Sequence, residues 1–309
     1  MAGIRVERLD HLGIVAGVCQ EIGLPAYLDA LAGPSQQQVS VGTATMAMIL
    51  NGLGFSNRRL YLVSQFFASK PLEHLLGPGI TAERLHDDCL GRTLDWLYAH
   101  DPTLLFAGMA RQARQRFGLA AHQVHVYTTS FAVTGEYAAE LDAHTLAVTY
   151  GYSRDHRADL KQWMLAPATT RVGDVPLFCQ ALDGNASDKV SPLTAVEALA
   201  EQLRGDVEHN EEVPIFVADS GHYSAQNVAR LSATDVHWIS RVPNTSKEAI
   251  AALTITDAAW QQEGGRFWAA VPHAPAGERW LVVRTTQGEE RIRTTLTRQV
   301  EAMRSQCEK

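Results

Sequence analysis

A chain of 309 residues, 46% of them hydrophobic and 20% charged, with a formal net charge of −7, has the composition of an ordinary globular protein and the length for two domains. The pI of about 5.9 weighs against a strongly basic nucleic-acid grip over the whole surface, though a local basic face remains compatible with it. Cys19, Cys89, Cys179 and Cys307 lie far apart without a CxxC pair, no apolar run reaches the length of a membrane span, and residues 1–8 lack the apolar core of a signal peptide. These features point to reduced thiols, no membrane association and a cytoplasmic location.

The first part reads as helical. Leu9, Leu12, Ile14, Val15, Val18, Ile22, Leu24, Tyr27, Leu28 and Leu31 recur at helix-like spacing until Gly33 and Pro34 end the run. Ser40 is placed to cap a helix through Ala44, Met46, Met48, Ile49 and Leu50 that stops near Gly52 and Gly54. Further helical runs cover residues 59–67, 82–99 and 102–117, with Gly77, Pro78 and Gly79 between two of them. Residues 1–119 are therefore expected to form an all-helical N-terminal domain.

The texture then changes to strands. Val124, Val126, Thr128 and Thr129 predict one strand, residues 146–150 a second and residues 160–167 a third, with residues 175–182 paired to it. A helix over residues 192–203 follows, capped by Ser191. Residues 213–218 then form a wholly apolar strand ending at Asp219, residues 225–231 a helix and residues 236–240 another strand. Strands followed by helix, strand, helix and strand predict an α/β architecture: a mixed sheet over residues 120–245, in the element order of a ribonuclease H-like fold. Beyond it, residues 267–271 and 279–284 read as an antiparallel pair, and residues 289–309 as a charged helical tail.

Two places could carry chemistry. Asp219 follows an apolar strand expected to be buried on both faces, at the place where a parallel α/β sheet collects its functional side chains. Asp219, Ser220 and Gly221 also lead into a helix, so the carboxylate could equally serve as an N-cap. His222 beside it is a first-turn residue or a general base. The second place is residues 151–162. Arg154, Asp155, His156, Arg157, Asp159 and Lys161 crowd there beside a strand, as a site on a sheet edge or as a mutually paired cluster bracing a hairpin. Asp142 is a further acid near the first strands. His122 and His125, with His156, could form a zinc site, although histidines without cysteine partners are usually structural.

Several blocks in order resemble one branch of bacterial insertion-sequence transposases of the DDE class. Asp155-His156-Arg157-Ala158-Asp159-Leu160-Lys161-Gln162 is similar to its Asp-His-Arg-Pro-Asp-Leu-Lys-Gln block, with Ala158 in place of proline. Residues 125–131 resemble the segment His-Val-Asp-Thr-Thr-Ser-Phe around the first catalytic aspartate. Phe216-Val217-Ala218-Asp219-Ser220-Gly221 matches the segment around the second, and residues 183–189 a block between them. Residues 9–15, 47–54 and 75–80 look like the family's helical leader, so the resemblance spans most of the chain.

The resemblance implies strand cleavage and transfer of transposon-end DNA. Two Mg²⁺ ions roughly 4 Å apart, held by two aspartates and a glutamate, would activate the attacking oxygen and stabilise the leaving one. It also implies that the first and fourth sheet strands are neighbours and that residues 246–309 are part of a β-rich insertion. This chain departs from the pattern in two respects. Tyr127 stands at the position of the first aspartate, and a phenol is neutral at pH 7. The third ligand follows a Tyr-x-x-Arg pattern in the family, and no tyrosine occurs after Tyr223. Of the three metal carboxylates, Asp219 remains. The resemblance thus predicts a truncated, catalytically inactive copy that does not bind Mg²⁺ productively. The alternative is a non-catalytic DNA-binding or regulatory protein derived from a transposase. Either form could assemble with itself or with a full-length transposase, and an apolar patch left by the absent helix would favour self-association. Arg111, Arg114 and Arg154 are candidate DNA contacts. A hydrolase working through Asp155 and His156 belongs to a different class, and no nucleophile motif supports it.

Overall fold

A computed structural model describes residues 7–34, 37–55, 58–137, 145–153, 155–186, 196–197, 199–201, 214–234, 236–252, 260–271, 274 and 277–307. The chain divides into two compact units. One comprises Met1–Ala218 with Val236–Ile239, the other Asp219–Asp235 with Ser240–Lys309.

The first unit opens with seven helices among the described residues: α1 (Leu12–Glu21), α2 (Leu24–Ala32), α3 (Val41–Gly52), α4 (Val63–Phe67), α5 (Leu72–Leu76), α6 (Asp87–Ala99) and α7 (Pro102–Phe117). The apolar run from Leu9 to Leu31, expected to continue to Gly33, is broken at Gly23. That glycine takes a left-handed φ of 75° and caps α2, with Pro25 in the first turn. Ser40 caps α3 as its position predicted, its hydroxyl accepting from the Thr43 amide at 3.2 Å. Asp101 caps α7 by accepting from the amides of Thr103 and Leu104. The helices share one core in which Leu12, Leu50, Phe67, Leu75 and Leu90 are fully buried, each contributing roughly 1.5–3 kcal/mol of apolar burial. The close approach of α2 to α3 depends on Gly42, where a Cβ would run into the Pro25 backbone. The Gly42 amide there donates to Asp29 Oδ1 at 2.7 Å. Among the described residues no single helix is long and apolar enough to cross a membrane.

The six-stranded sheet comprises β1 (Gln123–Val126), β2 (Thr129–Val133), β3 (Lys161–Thr170), β4 (Pro176–Leu182), β5 (Ile215–Ala218) and β6 (His237–Ser240). Its order is β2-β3-β1-β5-β6, with β4 paired to β3. The architecture is therefore α/β, with a helical N-terminal region and a mixed sheet. β1 and β2 both run antiparallel to β3 in one unbroken register, from Val124 opposite Thr170 to Val133 opposite Lys161. They are one line interrupted at Tyr127 and Thr128, opposite Pro167, which has no amide hydrogen to return. Counted that way, β5 is the fourth strand of the sheet, and it lies parallel to β1. Helix α7 packs against β4.

Three expectations need correction. Residues 146–150 do not form a strand; Thr149 makes a single bridge to Gln162. Its other backbone hydrogen bonding does not continue a ladder: the Ala147 carbonyl accepts from the Gly184 amide at 2.8 Å, and the Ala147 amide is taken by Asp183 Oδ1 at 2.8 Å. The strand leading to Asp219 is not buried throughout: in β5 only Phe216 is buried. The anticipated strand at residues 124–129 continues to Val133. The helix expected at residues 192–203, with its cap at Ser191, lies largely outside the described residues. Within it, Val196, Leu199 and Ala200 are buried.

The second unit holds α8 (Ala225–Ser232), α9 (Lys247–Ala252), a three-stranded antiparallel sheet and α10 (Thr286–Cys307). The sheet strands are β7 (Gln261–Glu263), β8 (Arg266–Ala270) and β9 (Leu281–Thr285), in the order β7-β8-β9. The β8–β9 pairing was legible in the sequence. β7 was not, because Gln261, Gln262 and Glu263 are all exposed and carry no apolar alternation.

Candidate functional site

The C-terminal ends of neighbouring parallel strands gather functional side chains in α/β sheets. In the first unit, β1 and β5 end level: Val126 is the register partner of Ala218. Val124 and Val126 point into the core, 0% and 2% exposed, and fix the strand's faces. The residue after Val126 is Tyr127, which is 42% exposed. Its amide donates to the Pro167 carbonyl at 3.4 Å, and Thr128 beyond it is buried.

Ala218 is followed by Asp219, the first residue of the second unit. Its Oδ1 accepts from the Gly221 amide at 2.9 Å and lies 2.7 Å from His222 Nδ1. Its main-chain carbonyl accepts from the Ser240 hydroxyl at 2.9 Å. The cap expected at Asp219 therefore exists, but on the short 3-10 turn Ser220–His222. Helix α8 has a cap of its own, Ser224, whose hydroxyl accepts from the Asn227 amide. The Asp219 side chain is 58% exposed and that of His222 10%. His222 stands in the first turn, oriented by the carboxylate, and its backbone carbonyl accepts from Asn227 Nδ2 at 2.8 Å. Further along the same unit, Glu278 Oε2 accepts from both the Tyr223 hydroxyl and Trp280 Nε1, at 2.8 and 2.7 Å.

The donor set does not fit a paired-Mg²⁺ centre. Mg²⁺ takes hard anionic oxygens in near-octahedral geometry. Asp219 offers one carboxylate with an oxygen already engaged by an amide and an imidazole, and Tyr127 offers a neutral phenol. Among the described residues no three His, Cys, Asp or Glu side chains gather as a metal would require. His122 is exposed and His125 half-buried on β1, while His156 is exposed in the loop before β3.

The charged block divides into parts with different partners. Arg157 Nε and Nη2 donate to the two carboxylate oxygens of Asp159 at 2.8 and 2.7 Å. That hydrogen-bonded guanidinium holds the Asp159 carboxyl below its ordinary value, and Arg157 is raised in turn by the same pair. Both side chains are more than half exposed. Asp155 and His156 are exposed too, with His156 in a left-handed turn at φ 57°. Lys161 reaches back from β3 to the carbonyls of Glu136 and Tyr137 in the loop after β2. Lys161 therefore joins β3 to that loop, while Arg157 and Asp159 pair with each other.

The block's most buried polar residue escaped the sequence reading. Gln162 is 2% exposed, and its Nε2 donates to the Gly184 carbonyl at 2.7 Å and to that of Tyr152 at 3.3 Å. Its own backbone exchanges two hydrogen bonds with Thr149. Gly151 and Gly184 meet there so closely that a Cβ on either would collide with backbone. A signal existed: Gln162 falls in phase with Met164 and Ala166 on the buried face of β3.

Of the candidate DNA contacts, Arg111 is exposed on α7. Arg114 is only 8% exposed, so its guanidinium lies within the protein, although it stands less than one helical turn from Arg111. Arg116 is exposed and pairs with Glu21 at 3.1 Å. Arg154 and Asp142 lie outside the described residues, as do the last residues of the 183–189 block.

Residues 4–111 match a family described as a domain of unknown function, DUF4277. No curated protein matches the chain. Among solved structures, the chain is similar to piggyBac transposase in a synaptic complex with hairpin DNA. That similarity has 10% identity and a TM-score of 0.34, and covers 91% of this chain and 53% of that one. The chain thus spans about half the length of that transposase. It is also similar to Mos1 transposase in a paired-end complex with the left transposon end, at 10% identity and a TM-score of 0.26, covering 80% of this chain and 89% of that one. The Mos1 mariner paired-end complex with Mn matches at 12% identity and a TM-score of 0.27, covering 80% and 84%.

Proposed function

We propose that the chain is a DNA-binding protein of the DDE transposase lineage, of insertion-sequence type, whose strand-transfer site is inactive. The observation that carries this reading is the level, parallel pairing of β1 with β5 at Val126 and Ala218. Three antiparallel lines followed by a fourth strand set parallel beside the first support reading the sheet as ribonuclease H-like. In the family the first catalytic aspartate lies on the first strand and the second follows the fourth. The residues in those places here are Tyr127 and Asp219. The ordered sequence blocks support the lineage, with residues 1–119 as leader, 120–245 as core and 246–309 as insertion.

The chemistry of these side chains supports binding without catalysis. A phenol supplies no anionic ligand, and Asp219 serves as a cap for the turn that follows it. The exposed position of Arg111 on α7 supports phosphate contact there. Such a chain acts as a regulator, occupying ends or entering mixed assemblies with an active transposase.

The test uses purified full chain and labelled duplexes taken from the DNA flanking its own reading frame. Binding that weakens steeply with salt, without nicking or joining in Mg²⁺ or Mn²⁺, is expected. Metal-dependent cleavage refutes the inactive site, and failure to bind at low salt refutes the DNA-binding role.

A further inference from the structure

Helix α10 (Thr286–Cys307) is exposed on every side over residues 289–306. Ile292, Leu296, Val300 and Met303 nevertheless form one apolar stripe along it, 63%, 55%, 45% and 58% exposed. At about 100° per residue the four lie within about 80° of one another, and Glu289 extends the same line by one turn. A helix of this length is marginal in water unless such a face is packed. The sheet that α10 follows has an uncovered face of its own. Arg266, Trp268 and Ala270 of β8 pair with Thr285, Val283 and Leu281 of β9, so the six share one face. Leu281 and Val283 are each 59% exposed, and Arg266 is exposed on the same face. The opposite face is the packed one: Ala269 is fully buried, and the Arg284 guanidinium lies 4.2 Å from the centre of the Trp260 ring.

The two faces match in spacing and in charge. Sequence pattern starts the helix at residue 289, after Gly288 and with Glu289 and Glu290 in its first turn, where acids are favoured. In the structure α10 starts three residues earlier, at Thr286, with the Gly288 amide donating to Thr285 Oγ1 at 2.9 Å. Residues 286–288 thus serve either as a first helical turn or as a reversal, and three residues is an ordinary length for a strand-to-helix connection. On reversal the helix runs back along β9. Counted from Gly288, Ile292 and Leu296 lie about 6 and 12 Å along the helix. Counted from Thr285, Val283 and Leu281 lie about 7 and 13 Å back along the strand. Ile292 therefore falls level with Val283 and Leu296 with Leu281, while Val300 and Met303 reach past the start of β9. Glu289 falls level with Thr285, whose register partner is Arg266, so opposite charges meet at the hinge end of the face.

We propose that α10 is a strap for the sheet it follows: residues 286–288 reverse the chain, and the stripe from Ile292 closes over Val283 and Leu281 of the same molecule, with Glu289 beside Arg266. Closure covers both apolar faces at once. It does not depend on the DNA-binding reading, since no residue of that reading takes part.

The experiment follows amide hydrogen exchange over residues 292–303 in the full chain, by mass spectrometry at two protein concentrations. Leu281→Ser with Val283→Ser removes the apolar surface of the sheet without touching the helix, and exchange in α10 should then quicken roughly tenfold. Arg266→Glu and Glu289→Arg should each quicken it roughly twofold to fivefold, and the two together should restore the parent rate. All four positions are exposed, and circular dichroism checks that the fold is kept. Exchange in α10 that is the same in the parent and the doubly serine-substituted chain overturns the proposal. So does a charge swap that fails to restore the rate. Protection that grows with protein concentration overturns it too, because the stripe is then covered by a second copy.

Discussion

Val126 and Ala218 sit opposite each other as the last residues of two parallel neighbouring strands. The chain steps from them directly to Tyr127 and Asp219, the two residues on which the proposed function turns. Under the proposed lineage the site takes three carboxylates, so restoring one does not restore it. Tyr127→Asp is expected to leave the protein unable to cut or join DNA in Mg²⁺ or Mn²⁺, measured on labelled duplexes. Cleavage by that single variant would mean that another acid of this chain has taken the third position.

Asp219 has a local task that can be separated from any metal role. Asp219→Asn keeps an oxygen for the Gly221 amide and should leave stability near that of the parent. Asp219→Ala removes the cap and the His222 contact and should cost about 0.5–2 kcal/mol in denaturant unfolding. Equal stability of the alanine and asparagine variants would contradict the cap.

The strongest structural effect in the 151–162 block is expected at Gln162. Gln162→Leu leaves the buried Gly184 carbonyl without its side-chain donor, at a cost of about 1–3 kcal/mol. Gly184→Ala forces a methyl against the Gln162 carbonyl and should cost a similar amount, about 1–3 kcal/mol. Urea unfolding of the two variants checks both. A loss at Asp159→Asn larger than that at Gln162→Leu would contradict the ranking that burial implies.

The Arg157–Asp159 pair makes a pH-dependent contribution of known sign. The folded Asp159 carboxyl titrates below its unfolded value because Arg157 hydrogen-bonds it. Its contribution is therefore present above the ordinary carboxylate range and is lost as pH falls through the lowered value. The stability difference between the parent and Asp159→Asn should be small at neutral pH, because both side chains are largely exposed. It should disappear in acid. A difference that grows on acidification would contradict the assignment.

The fold was legible where pattern and burial agree. β3, β4, β8 and β9, α3 with its cap Ser40, and α7 lie where pattern and periodicity put them. The pattern failed where one residue acts against its surroundings. Gly23 breaks an otherwise continuous apolar run, and Pro167 interrupts the line of β1 and β2 from across the sheet, a relationship no local window contains. Of the candidate site, Asp219 was legible as a strand-end residue, whereas the strand expected over residues 124–129 ran through Tyr127, which the structure places after the end of β1. The site was not legible as contacts. Helical spacing alone does not tell Arg114, turned inward, from Arg111, turned outward. Charge drew attention to Asp155 and His156, whereas the packed polar residue of that block is the uncharged Gln162.

DNA binding by a chain that does not cut is what separates the proposed regulator from an active transposase. The deciding measurement is fluorescence anisotropy of the full chain on duplexes from the DNA flanking its reading frame, titrated in salt, with the same samples run for cleavage in Mn²⁺. Saturable binding is expected, its logarithm falling with log salt at a slope of about −0.9 per phosphate contact. Arg111→Ala should flatten that slope by about one contact, roughly 0.9, and the DNA should remain intact throughout. Binding that is absent at low salt, or strand cleavage once Mn²⁺ is added, would contradict the proposed function.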